Sequence, residues 1–342
     1  MADFLQIFRN SAKKREMLFQ VTDAYRVFNG AFEGFPGVTL DRFGEKYQLQ
    51  FFTAVGPADV KAICEAVQAL FQPEFLVAKW RVSPSGAALE HPRMDIIVGD
   101  ETLAAGIVRE GNAKFHVDLL DTVNPGLFLD MRDVRFEVEK HFANLSVNRE
   151  RTVGDAIAVN AVADATVAAT RFLNLFSYTC SFSVHARLGG ASIATNADIS
   201  GKILEKGRAN YALNNQDLRP GEFFKGNAIE YVHWAEKKGL QFDGIVLDPP
   251  SFARFKGFNF NVREHLMPLV SDCASLLKPG AFLMVSSNYS EFELVRFSRD
   301  VLSAVRQNCP DAKTVWSRTQ GEDFPGAGTM KESSLVATWV EV

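Results

Sequence analysis

The sequence predicts an α/β protein: a mostly parallel, Rossmann-like sheet with helices on both faces, preceded by a small α+β domain and closed by a C-terminal antiparallel hairpin. Three observations predict it. From Phe172 onward, short apolar runs alternate with helical ones, the pattern of parallel strands joined by crossover helices. Two of these runs, Arg171 to Cys180 and Phe242 to Phe252, each begin as a short apolar strand that stops abruptly at small or polar residues. In open α/β sheets ligands sit in the crevice beyond such strand ends. Upstream, Tyr25 to Phe52 alternates β-rich runs with turn signals, which suits a small antiparallel sheet.

The elements follow in order. Asn29-Gly30, Gly34-Phe35-Pro36-Gly37 and Arg42-Phe43-Gly44 punctuate the first sheet. Pro57 to Leu70 has helical spacing, with Val60, Ile63, Cys64, Val67 and Leu70 on one face, and Phe75 to Val82 and Gly106 to Val117 read as strands. These form an α+β domain over residues 1–120. Within 121–170, a turn at Asn124-Pro125-Gly126 enters a helix reaching about Leu145, and the Ala- and Val-rich Ser146 to Thr170 reads as helix plus loop. The second domain, 121–342, then runs strand, helix (Phe182 to Leu188), strand (Ser192 to Ala197), helix (Gly201 to Asn214), strand, helix (Ala228 to Lys238), strand (Gly244 to Leu247), helix, strand (Ala281 to Ser286). Lys313 to Arg318 and Ser334 to Val340 are β-like and joined by the Gly- and Pro-rich Gln320 to Thr329, as in a terminal hairpin.

Bulk properties narrow the class. The 342 residues exceed a typical single domain. No uninterrupted apolar run approaches the ~20 residues of a spanning helix, and Asp3, Arg9, Lys13, Lys14 and Arg15 leave no signal-peptide core. A cytoplasmic protein is expected. Cys64, Cys180, Cys273 and Cys309 are scattered, without the close pairs of a metal or redox site, so no metal is expected and the thiols read as reduced. A net charge of −4 opposes indiscriminate nucleic-acid binding but leaves room for a local basic face. No motif assigns an oligomeric state.

Chemistry concentrates at the strand ends. Ser177, Thr179 and Ser181 let the backbone approach a ligand, and the helix that follows presents free N–H groups suited to a carboxylate. A plain strand-to-helix turn accounts for these residues as well. Asp198 lies about 20 residues beyond Phe176, where a nucleotide-binding sheet places a carboxylate on ribose hydroxyls; capping of the next helix, by Asp198 or Ser200, is the alternative. Asn227, at the end of the third strand, could meet adenine or cap a helix. In Asp248-Pro249-Pro250-Ser251-Phe252, the prolines remove donors and leave the Asp248 carboxylate and nearby carbonyls as directed acceptors, for a nucleobase N–H or to help position the cofactor; simple termination of the strand by Pro-Pro is the alternative. Phe252 offers a face on which a flipped base could stack.

Four segments carry a family resemblance: Asn174-Leu175-Phe176-Ser177-Tyr178-Thr179, His185-Ala186-Arg187-Leu188-Gly189-Gly190-Ala191, Leu247-Asp248-Pro249-Pro250-Ser251-Phe252 and Gly126-Leu127-Phe128-Leu129-Asp130-Met131-Arg132. Together they resemble the bacterial large-subunit (23S) ribosomal RNA methyltransferases, a family that includes 5-methylcytosine and 7-methylguanine enzymes. The likeness covers nearly the whole chain, since Asn29-Gly30, Gly34, Pro36-Gly37 and Asp41-Arg42-Phe43-Gly44 resemble that family's small β-rich domain. The N-terminal PUA module of many members is expected to be absent.

The resemblance implies a class I methyltransferase fold, which the terminal hairpin suits, with S-adenosylmethionine as cofactor and ribosomal RNA as substrate. By it, Phe176, Ser177, Tyr178 and Thr179 would line the cofactor, Asp198 would hold its ribose, Asn227 would sit near adenine, and Arg132 would approach the site. Asp248, Pro249 and Phe252 would serve catalysis. Three departures stand out: Cys180 where the family usually has Gly, Asn227 where Asp is common, and Ser286-Ser287-Asn288 in place of the Ser-Cys-Ser of the cytosine-5 branch.

The last departure bears on the methylated atom. Methylation at cytosine C5 needs a thiolate to add to C6, whereas methylation at nitrogen needs mainly alignment of a lone pair with the sulfonium methyl. Ser287 is a poor substitute for a thiolate, and neither Cys180 nor Cys273 is expected at the base, so guanine nitrogen is the favoured target. The alternatives are cytosine C5, a small molecule or protein substrate on the same fold, and a non-catalytic RNA-binding protein. The β-rich domain, as an RNA platform, opposes the small-molecule reading, and the intact Asp198 and Asp248 oppose the non-catalytic one.

Overall fold

The computed structural model describes residues 2–83, 85–158, 169–255, 258–326 and 335–342. The chain divides into two compact units, Met1–Arg132 with Gly321–Gly326 and Asp133–Gln320 with Ala327–Val342. The expected boundary at 120 thus lies within the first unit, and a short piece of the C-terminal hairpin connection joins that unit.

The first unit is built on a five-stranded sheet: β1 (Ala24–Asn29), β2 (Val38–Phe43), β3 (Lys46–Phe51), β4 (Phe75–Val82) and β5 (Ala88–Val98), in that spatial order. β1 to β3 are antiparallel, and Gly44 at φ 65° supplies the left-handed residue of the two-residue loop between β2 and β3. β3 and β4 are parallel, so the chain must cross over, and α2 (Pro57–Phe71) makes the crossover. Pro57 suits its first turn, where no N–H is needed, and Gln72 closes it in the left-handed conformation. Alternation then sorts the sheet: Leu40, Leu49 and Ala78 join a core with Phe8, Ile63 and Val67. Sequence reading missed α1 (Phe4–Lys14), capped by Asp3, and β5. The Gly106 to Val117 region is a hairpin, β6 (Ala105–Glu110) and β7 (Ala113–Asp118), turned at Gly111 with φ 57°.

α3 (Arg132–Ala158) carries the chain from the last residue of the first unit's main segment into the second unit; the loop expected after it falls at 159–168, outside the described residues. Then follow β8 (Arg171–Leu175), α4 (Ser181–Leu188), β9 (Ile193–Asp198), α5 (Gly201–Leu213), β10 (Phe223–Lys225), α6 (Ala228–Lys237) and β11 (Phe242–Leu247). A helix was expected immediately after β11. Instead a two-stranded hairpin, β12 (Phe252–Phe255) and β13 (Phe258–Asn261), precedes α7 (Val262–Ala274), because Pro249 and Pro250 hold the chain extended and alternating aromatics continue it as strand. β14 (Leu277–Ser287), α8 (Leu294–Val305), β15 (Lys313–Arg318) and β16 (Val336–Glu341) complete the unit.

The seven-stranded sheet has the order β10-β9-β8-β11-β14-β16-β15, with every strand running the same way except β16, which is antiparallel to both β14 and β15. β8 and β11 are neighbours, and the chain winds outward from β8 to β9 and from β11 to β14. That reversal is a topological switch point, and the crevice it opens lies beyond the carboxyl ends of β8 and β11. All six residues of β11 are buried, as a central strand covered on both faces requires. A Cβ on Gly244 would lie 2.2 Å from the Phe282 ring, which explains a glycine in mid-sheet.

Candidate active site

Strand register assembles the site. Leu175 is aligned with Leu247 on one side and Ala197 on the other, and Leu247 with Val285. The next residues along each strand, Phe176, Asp248, Asp198 and Ser286, therefore emerge side by side at one edge of the sheet.

The turn after β8 is tightly wound. Phe176, Tyr178 and Cys180 all have positive φ (55°, 47° and 64°), a conformation costing roughly 1–2 kcal/mol for each residue with a Cβ. Strain of this kind persists where the surroundings impose it, and it gathers at functional sites. Cys180, with φ 64° just ahead of α4, occupies a position that favours glycine, the usual residue of the family. Its thiol packs into space that exists because residue 207 is glycine: a Cβ there would lie 2.3 Å from Sγ.

Asp198 secures the turn. Its Oδ2 accepts the Tyr178 N–H at 3.0 Å and its Oδ1 the Ser200 N–H at 2.9 Å. Each oxygen keeps a further lone pair for a ligand hydroxyl. Burial raises its proton affinity, and the two backbone N–H groups oppose that shift. Capping of α5 falls to Ser200, whose Oγ accepts the Ile203 N–H. Beneath the turn, Asn210 donates to the Thr179 carbonyl at 3.0 Å, and Asn174, Ser183 and Asn196 form a buried hydrogen-bonded chain. Asn210 went unnoticed in the sequence because its partner is 31 residues away.

Asn227 is a helix cap with one amide atom to spare. Its Oδ1 caps α6 by accepting the Ile229 N–H at 3.0 Å, which leaves Nδ2 as the atom available to a ligand. Gly226 N–H bonds the Asp198 carbonyl at 3.0 Å, so Asn227 and Asp198 share one rim. A cleft with strand-end amides, a carboxylate and an amide donor fits an adenosine-type cofactor.

Asp248 sits across the switch point. Its Oδ1 accepts the Ser286 hydroxyl at 2.6 Å. Burial pushes its proton affinity up, while the Ser286 hydroxyl and the positive field of buried Arg135 hold it down. Alongside, the Ser251 hydroxyl donates to Asn288 Oδ1 at 2.9 Å, and Ser287 accepts the Tyr289 N–H. Thus Ser286-Ser287-Asn288 braces the Asp-Pro-Pro-Ser segment, a role for which the sequence held no signal. Pro249 is buried, Pro250 exposed. Phe252 on β12 is 51 % exposed, with the Arg254 guanidinium 5.7 Å from its ring centre. The hairpin also reaches the first motif: the Phe176 and Phe260 rings lie 5.3 Å apart.

Arg132 has a different setting. It is buried in the first unit, where Nη1 and Nη2 bond the Asp323 carboxylate at 3.2 and 2.8 Å. A two-pronged bond of this kind to a buried carboxylate of its own unit fixes where the guanidinium sits. All four thiols lie inside or partly inside the protein, and burial pushes each one up, Cys64 to about 11. None is poised as a thiolate.

Comparison with known proteins agrees with this geometry. Residues 160–293 match the family described as S-adenosylmethionine-dependent methyltransferase. YwbD of Bacillus subtilis (strain 168), provisionally named a ribosomal RNA large subunit methyltransferase, is 27% identical over 98% of this chain and 79% of its own. Ribosomal RNA large subunit methyltransferase I of Klebsiella pneumoniae (strain 342) is 28% identical over 91% of this chain and 71% of its own. The crystal structure of SMU.776 complexed with SAH superposes with a TM-score of 0.80, covering 99% of this chain and 81% of that one at 23% identity, a likeness of fold.

Proposed function

We propose that this S-adenosylmethionine-dependent methyltransferase acts in the cytoplasm on ribosomal RNA of the large subunit and methylates a base nitrogen, guanine preferred. The observation that carries the reading is the meeting of two motifs at one sheet edge, the cofactor turn held by Asp198 and the Asp248 to Phe252 segment, joined through Phe176 and Phe260. The relatives' printed names support the RNA, and the half-exposed Phe252 supports a base drawn out of its stack.

The residues divide the work. Phe176, Ser177, Tyr178 and Thr179 form the cofactor wall, Asp198 takes the ribose hydroxyls and Asn227 Nδ2 the adenine. S-adenosylmethionine, when bound, supplies an electrophilic methyl. Phe252 stacks the base and Pro249 keeps the segment stiff. Asp248 accepts a base N–H, and its raised proton affinity suits it to hold the proton or positive charge that methylation of a ring nitrogen leaves on the base. Most of the advantage is alignment of a lone pair with the methyl. The raised thiols disfavour cytosine C5, since addition to C6 requires a thiolate.

The test is methyl transfer from labelled S-adenosylmethionine to large-subunit ribosomal RNA from a strain lacking this gene, with nucleosides identified by mass spectrometry. A methylated guanine is expected. Absence of transfer to that RNA, alongside normal cofactor binding, would overturn the substrate.

A further inference from the structure

The five-stranded sheet of the first unit packs one face against α1 and α2, and its opposite face carries a polar patch beside buried Phe43, Phe75 and Val77. Thr39 on β2 is paired with Gln50 on β3, and Gln50 with Lys79 on β4, so the three form a row across the sheet. Asp41 and Arg81 lie two residues further along their strands and share that face. Arg26 is paired with Asp41.

A chain of hydrogen bonds runs along this face. Arg26 grips Asp41 through Nε at 2.8 Å and Nη2 at 3.1 Å, and Asp41 Oδ2 accepts Gln50 Nε2 at 3.2 Å. Gln50 is thereby turned with its amide oxygen toward Arg81, accepting Nε at 3.3 Å and Nη2 at 3.0 Å. Arg26 neutralises Asp41, so no negative charge reaches Arg81. Among the described residues its guanidinium has no carboxylate partner, and Nη1 has no hydrogen bond at all. Lys79 is buried two residues before it, with Nζ donating to the carbonyls of Asp121 at 3.1 Å and Val123 at 3.3 Å. Thr39 Oγ1, in the same row, is buried without a partner among the described residues.

Such an arrangement costs free energy in the isolated protein. Burial lowers the proton affinity of Arg81, and burial together with the Arg81 charge lowers Lys79 to about 8, with Asp121 partly opposing. A charge removed from water is ordinarily paired. Here the guanidinium is oriented by a fixed amide, partly open to solvent, and backed by a second cation, which is the preparation that planar recognition of an oxyanion requires.

We propose that Arg81, backed by the charge of Lys79 and oriented by Gln50, is a binding site for a phosphodiester of the RNA backbone. The identity of the ligand as RNA rests on the function proposed above; the anion site itself rests on the sheet face. Phosphate contacts of this kind position a nucleic acid and carry no sequence information.

The test uses the full chain, as parent, R81Q and R81K. Binding of a fluorescent single-stranded RNA oligonucleotide is followed over a range of salt concentrations. R81Q is expected to bind roughly tenfold more weakly at low salt and to lose about 0.7 from the slope of log affinity against log salt, the value of one phosphate on a single strand. R81K should keep the slope, and all three should bind S-adenosylmethionine alike. Parent-like slope and affinity in R81Q would overturn the site while leaving RNA methylation standing. Should the parent bind no RNA, the RNA reading falls, and the site is decided by inorganic phosphate. Added phosphate is expected to shift the Arg81 Nε–Hε resonance, assigned by its loss in R81Q, and a resonance that does not move overturns the site.

Discussion

Replacing Asp198 by Ala removes the carboxylate that holds the cofactor turn closed. Two charge-assisted bonds disappear, from Tyr178 N–H and Ser200 N–H. Each is worth about 1.5–3 kcal/mol, part of which returns as water enters the space left by the side chain. A stability loss of about 2–4 kcal/mol is therefore expected in urea unfolding, enough to show clearly but not to abolish folding of a unit this size. Cofactor affinity should fall further, roughly 100-fold or more, because the ribose loses its charged acceptor and the turn its shape. Asp198→Asn separates these effects: one amide oxygen can still accept one of the two N–H groups, so stability should lie between parent and Ala, while affinity stays low. Acidification offers a third arm. Burial lifts Asp198 above the usual carboxylate range, so the folded chain holds this proton more tightly than the unfolded one. The group's contribution to stability accordingly falls as pH rises from the ordinary carboxylate value through its raised one. Cofactor affinity has the opposite sign, weakening as pH drops through the raised value, since binding needs the charged acceptor. Urea unfolding across pH measures the stability arm and calorimetric titration the affinities, and an Asp198→Ala protein that binds S-adenosylmethionine within threefold of the parent would refute the reasoning.

Asp248→Asn keeps an acceptor for the Ser286 hydroxyl and should leave the unfolding midpoint and cofactor affinity near parental values while cutting single-turnover methylation by roughly 100-fold or more; parental turnover would reduce the motif to a strand terminator. Phe252→Ala, at a half-exposed position, should not change stability but should weaken RNA use by about 1–3 kcal/mol, read as a change in kcat/KM. RNA carrying 5-fluorocytosine should give no denaturation-resistant complex with the protein, because no thiol is available to attack C6; a trapped band lost in Cys180→Ala or Cys273→Ala would overturn the nitrogen assignment.

The strand ends were legible in the sequence for a physical reason. A parallel sheet fixes register, so residues that each follow a short apolar run must gather at one edge; Phe176, Asp198 and Asp248 could be placed together without knowing a single contact. Asn227 was legible as a choice between cap and ligand, and its Oδ1 is seen to cap α6. The β12–β13 hairpin was also written in the chain, in the alternation of Phe252, Arg254, Phe258 and Phe260 around Lys256-Gly257. A helix was nonetheless expected there, because crossover logic fills every gap between parallel strands with one. α1 was missed for the opposite reason: its charged residues lie on the face away from Phe4 and Phe8, and they hide the short apolar stripe that makes it a helix.

Arg132 marks where such reading ends. Its neighbours resemble a known motif, yet its partner Asp323 is 191 residues away, in the short segment Gly321–Gly326 that leaves the hairpin connection to join the first unit. No local pattern predicts that pairing, because an acidic residue in a Gly- and Pro-rich connection looks like solvent-facing charge. Burial changes its meaning: Asp323 also accepts the Arg26 N–H, and its carbonyl accepts Arg15. The carbonyl of Pro325, nearby, takes the Asn29 amide. The same segment thus accepts from donors at α1's end, in β1 and at the start of α3. A connection that sequence reading treats as a spacer is, in the folded chain, a shared acceptor for buried Arg15 and Arg132 and for the Arg26 backbone, and the Arg26 side chain in turn fixes Asp41 on the sheet face where Arg81 is oriented.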